Sequence, residues 1–111
     1  MGEITDVTRG SFKHEVLEEK RPVRVDFWAH WSGPCRHLEP VLDKIAEQTA
    51  DVKLCRVNVE REPELAGLYH VAATPTLMLF EDGRQRRVST GSRSEQDVRN
   101  FLGGPLYESL D

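Results

Sequence analysis

Between residues 26 and 37 the sequence gathers the side chains best suited to chemistry. Cys35 is one of two cysteines in 111 residues. Ser32 stands three positions before it, separated by Gly33 and Pro34, and Asp26 interrupts the apolar run Val23–Trp28. A lone thiol beside the start of a helix invites redox chemistry, although Cys35, in the first helical turn behind Ser32, is expected to be shielded and less readily ionised. A carboxylate set among apolar residues has its pKa raised and can exchange a proton with a nearby thiol. The alternative for Asp26 is an ion pair with Arg56 on the adjoining strand; an arginine there keeps its charge and opposes that rise. The two are not exclusive.

Other chemistries fit these residues less well. Ser32 as a nucleophile would need a base, and no Ser-His-Asp arrangement is legible around it. A helix N-cap is the simpler role for it. His30 and His37 flank Cys35, but the pattern lacks the second ligand pair of a tetrahedral zinc site, so neither metal nor cofactor is expected. An imidazolium at His30 could instead steady a thiolate. Cys55 lies within a strand and reads as a small buried apolar residue, and Cys35 as a shielded thiol. A bridge between the two is not expected from their contexts.

The elements that must position these groups follow from periodicity. Val23–Trp28 is the first clear strand. Leu38, Val41, Leu42, Ile45 and Ala46 recur at helical spacing, which predicts a helix from Pro34 to about Thr49, kinked at Pro40. Ser11 is expected to cap a short earlier helix carrying Phe12, Val16 and Leu17. Residues 52–59 make a second strand and 62–69 a short helix with Pro63 in its first turn. Residues 76–80 and 85–90 form a hairpin turned by Asp82-Gly83, with Arg84, Arg86 and Arg87 on the solvated side of an edge strand. Ser94 and Asp97 resemble a capping box, opening a last helix with Val98, Phe101 and Leu102 inward. Gly103-Gly104-Pro105 stops it and leaves 103–111 as a loose tail. Trp28 is placed in the core beneath the motif. The order predicts an α/β fold, a mixed sheet of four to five strands flanked by about four helices, in a single domain spanning 1–111.

Composition narrows the function. A net charge of −4 gives no basic face for nucleic acid. No run is apolar enough for a membrane span or a signal peptide, and two separated cysteines fit a reducing cytoplasm rather than a disulfide framework. A soluble monomer is expected.

The stretch Val25-Asp26-Phe27-Trp28-Ala29-His30-Trp31-Ser32-Gly33-Pro34-Cys35-Arg36 resembles the active-site signature of the thioredoxin family, with serine where the family has its first cysteine. Pro40, Asn58, Thr74-Pro75-Thr76, Asp82-Gly83 and Gly91 fall in matching order, so the resemblance runs over roughly residues 4–102. It implies the thioredoxin fold, a cis Pro75, and protein disulfide reduction served by a thioredoxin reductase. Ser32 would then hold the place of the exposed attacking thiol, and Cys35 that of the resolving thiol with Asp26 as its proton partner. Trp31, Gly33, Pro34, Thr74, Pro75 and Gly91 would receive an extended peptide segment of the substrate. The serine, engineered or natural, leaves two readings: a reductase without its nucleophile, or a redox-inactive peptide-binding module of chaperone type.

Overall fold

A computed structural model describes residues 3–48, 51–91 and 94–103. Five strands form one sheet in the order β1-β3-β2-β4-β5: β1 (Ile4–Asp6), β2 (Val23–Trp28), β3 (Lys53–Asn58), β4 (Thr76–Glu81) and β5 (Arg84–Thr90). β1, β3 and β2 run parallel, while β4 is antiparallel to β2 and β5 antiparallel to β4. The helices are α1 (Gly33–Gln48), α2 (Pro63–Leu68) and α3 (Glu95–Gly103), with a π-helical turn at Lys13–Leu17. This is an α/β fold, a mixed sheet sandwiched by helices, of the kind the resemblance implies.

Strand alternation divides the core into two layers. Val23, Val25 and Phe27 of β2 pack with Val57, Met78 and Phe80 against Phe12, Val16 and Leu65. Edge-on rings join that layer, Phe12 to Phe80 at 5.7 Å and Tyr69 to Phe80 at 5.6 Å between centroids. On the opposite face, Leu54, Leu77 and Leu79 meet the α1 stripe of Leu38, Leu42 and Ile45 and Val98 of α3. By the same alternation Asp26 and Arg24 point to the α1 face, and both are buried.

Several local expectations need correction. β1 is a strand that its short sequence, Ile-Thr-Asp, does not announce; it gains its ladder by pairing with β3. Ser11 does not cap the first helix. Its hydroxyl accepts from the Thr8 N–H at 3.0 Å, and Phe12 holds the cap position. That helix closes with the Glu18 N–H donating to the Lys13 carbonyl at 2.9 Å, five residues back, so its turn is π rather than α. α1 begins at Gly33, one residue before the expected start, and holds Pro40 inside its span. Gly103 is the last residue of α3 rather than the first of a tail. The expected helix end at Thr49, the Leu102 side chain and the stop at 104–105 lie outside the description, as does the rest of the tail.

Candidate functional site

The turn from β2 into α1 sets the geometry. The Ser32 N–H donates to the Ala29 carbonyl at 3.2 Å, which folds the chain back over the end of β2. Ser32 then caps α1: its hydroxyl accepts from the Cys35 N–H at 3.4 Å and its carbonyl from the Arg36 N–H at 3.3 Å. Pro34, which has no N–H to satisfy, fits the first turn between them. Capping turns the Ser32 oxygen inward over the helix, so its residue is only 4% exposed, unlike the exposed position the resemblance implies. Cys35, at 2%, is more shielded still, and Cys35 and Cys55 are both free thiols. Trp31 beside them stands out at 68% exposed.

Asp26 lies below this turn, 4% exposed, with its Oδ1 lacking any hydrogen-bond partner. Burial pushes its carboxyl up to about 7, against the pull of Arg56 and with a smaller push from Glu39. Asp26 and Arg56 are opposite residues in the β2–β3 register, yet they form no ion pair. Arg56 instead places its guanidinium 4.6 Å above the Trp28 ring and its Nη2 3.2 Å from Glu39 Oε1. The outward position keeps part of the cation in water, which an arginine turned onto Asp26 would lose. The alternative Asp26–Arg56 pair is thereby replaced by an Arg56–Glu39 pair.

Beside Cys35 a groove of about 410 Å³ opens between α1 and α3. Gly33 and Pro34 form one rim, Pro75 and Gly91 the other, and Leu38, Leu77 and Val98 the floor. The two sides of the far rim are tied together, the Gly91 N–H donating to the Pro75 carbonyl at 2.9 Å. The Thr74–Pro75 bond is cis. Gly91 has φ +93°, a conformation that a side chain would strain. Of the six residues expected on a peptide surface, four line this groove; Thr74 precedes the lining residue Pro75 and Trp31 lies two residues before Gly33. Val41 also lines the groove, and sequence reasoning did not place His37 or Glu95 there, where both belong to the lining. His37 is one turn beyond Pro34 on α1, and Glu95 opens α3, so helical spacing alone could have placed both. His30 is not among the groove's lining residues, and its backbone N–H donates to Glu60 Oε1 at 2.8 Å.

Among the described residues no three His, Cys, Asp or Glu side chains come together as metal ligands, and no helix is long and apolar enough to cross a membrane. The arrangement offers a capped helix start, one shielded thiol, a carboxyl that titrates near neutrality and an open groove alongside.

Comparison with known proteins matches residues 3–103 to the family described as Thioredoxin. Thioredoxin 1 of Synechococcus elongatus is 45% identical over 97 residues, covering 86% of this chain and 91% of that protein. Thioredoxin of Rickettsia prowazekii is 38% identical over 100 residues, covering 89% and 95%. A solved structure of a Malassezia sympodialis thioredoxin superposes with a TM-score of 0.82 at 26% identity, covering 93% of this chain and 90% of that one.

Proposed function

The chain belongs to the thioredoxin family of disulfide oxidoreductases, and on that premise we propose that it is a form of the enzyme lacking its attacking thiol, with Ser32 at that thiol's place. The observation that carries this reading is the bond from Cys35 N–H to Ser32 Oγ, because it puts positions 32 and 35 within one helical turn at the edge of the groove. With sulfur at both positions, the thiolate at 32 attacks a substrate disulfide and displaces one substrate thiolate. Cys35, giving its proton to Asp26, then attacks the mixed disulfide, releases the second substrate thiol and closes a disulfide between 32 and 35. Two electrons pass to the substrate, and a dithiol or a thioredoxin reductase returns them. An oxygen at position 32 can make neither disulfide, and Cys35 is too shielded to take over the first attack. The chain thus binds extended segments of protein disulfide substrates at Gly33, Pro34, Pro75 and Gly91, flanked by Trp31 and Thr74, without turnover, in a reducing compartment.

The test is dithiothreitol-driven reduction of insulin. The chain should reduce insulin at the uncatalysed rate, and Ser32→Cys should raise it at least tenfold. A chain already well above background would overturn the reading. A second reading, a redox-inactive peptide-binding module, draws support from the intact groove beside a missing nucleophile. It prevails if Ser32→Cys folds, shows a new titratable thiol and still fails to turn over.

A further inference from the structure

Arg56 is the one cation that faces Asp26 across the β2–β3 ladder, and its guanidinium is held elsewhere. Its Nη2 lies 3.2 Å from Glu39 Oε1 on α1, and its Cζ lies 4.6 Å above the Trp28 ring. The Arg56 Nε is buried without a hydrogen bond, and so is Asp26 Oδ1. A buried donor on β3 and a buried acceptor on the facing residue of β2 are thus both left without a partner. Such a pair costs stability unless another contact competes for the guanidinium. Glu39 supplies that contact from the helix, and the face of Trp28 supports the same orientation.

We propose that Glu39 is a positioning residue for the proton chemistry of Asp26: it draws the Arg56 guanidinium toward α1 and away from the buried carboxyl, leaving Asp26 free to hold and release a proton. This rests on the reading of Asp26 as the proton partner of Cys35. Among the described residues, the groups that face or neighbour the carboxyl come from four elements. Arg56 faces it from β3, Glu39 and Cys35 belong to α1, Arg24 lies two residues earlier on the same face of β2, and the β4 residue opposite is the apolar Leu77. Glu39 acts on Asp26 in two ways with the same sign. Its own charge disfavours the carboxylate, and its hold on Arg56 withholds the cation that would favour it. Removing Glu39 should therefore lower the Asp26 titration midpoint, and most of the drop should require Arg56.

The experiment is a carbon-13 NMR titration of the Asp26 carboxyl from pH 4 to 9 in the chain as it stands and in Glu39→Gln, Arg56→Gln and the double variant. Glu39→Gln should move the midpoint down by about one pH unit. In the Arg56→Gln background the same change should move it by less than half as much. Should Arg56→Gln not fold, Arg56→Lys, which keeps the charge but not the planar stack, takes its place in the cycle. There too the Glu39→Gln shift should shrink. An unmoved midpoint in Glu39→Gln, or an equal shift with and without the Arg56 guanidinium, overturns the proposal. The titration needs no turnover, so it succeeds or fails apart from the Ser32→Cys assay. If Asp26 responds to Glu39 but Ser32→Cys is inactive, the positioning stands and the assigned reaction falls.

Discussion

The Asp26 carboxyl is ionised in an unfolded chain above about pH 4, whereas burial holds it protonated in the fold up to about pH 7. The folded state therefore binds the extra proton between those limits. Its stabilising effect is complete below pH 4 and is lost as pH rises through 7. Comparing the chain with Asp26→Asn isolates this group from every other. The two should be of similar stability near pH 4, and the asparagine variant should be more stable by on the order of 2–4 kcal/mol at pH 8, read by urea denaturation. Equal denaturation midpoints at pH 8 would show that the carboxyl is not held neutral. Glu19 works in the opposite direction and elsewhere in pH. Its hydrogen bonds with Arg21 hold it down at about 2, so its contribution is lost only in acid, outside that window. The two cysteines give a second residue-scale test. Both are 2% exposed, and burial pushes the Cys55 thiol up to about 12. A thiol reagent at pH 8 should label the native chain far more slowly than the urea-unfolded chain, which should take up two equivalents; prompt labelling of the native chain would contradict the shielding of Cys35 and Cys55.

Elements differ in how plainly their sequences announce them, and the reason is visible in where their stabilisation comes from. α1 and α3 were legible because a local stripe and a local cap specify them: Ser94 Oγ accepts from the Asp97 N–H at 3.1 Å, as its spacing predicts. The β4–β5 turn was legible for the same reason, with Asp82 at φ 53° and Gly83 at φ 75°. β1 was not, because three residues carry no period and its pairing partner lies some fifty residues away. The candidate site divides along the same line. The Ser32–Cys35 spacing and the interrupted strand at Asp26 could be read directly, while the Arg56–Glu39 contact joins a strand to a helix and leaves no local pattern. Helix capping then predicts a contrast. The Ser32 cap bond, at 3.4 Å, is longer than the Ser94 bond, so Ser94→Ala should cost about 1 kcal/mol and Ser32→Ala less. Thermal denaturation of the two variants measures it, and a larger loss for Ser32→Ala would mean that the cap at the site is the stronger one.

Across the whole molecule, the two rims of the groove hang from parts of the sheet with different support. β2 is central, paired along its length by β3 and β4 and packed on both faces, and it leads into the rim at Gly33 and Pro34. β5 is an edge strand with most of its side chains exposed, and it leads into Gly91. Interior strands exchange amide protons only by large-scale opening, whereas edges open locally at lower cost. Amides of β2 should therefore be the slowest to exchange in deuterium, with those of β5 that do not bond to β4 among the fastest. Gly91 makes this a functional measurement, since its N–H closes the far rim by donating to the Pro75 carbonyl. A peptide seated in the groove would span the rigid rim and the yielding one, and it would hold the Gly91–Pro75 bond shut. Adding an extended peptide that binds should slow exchange at Gly91 several-fold while leaving the centre of β2 unchanged. Slowing that falls on β1 or the Lys13–Leu17 turn instead would place the peptide outside the groove, and with it the binding function assigned to Gly33, Pro34, Pro75 and Gly91.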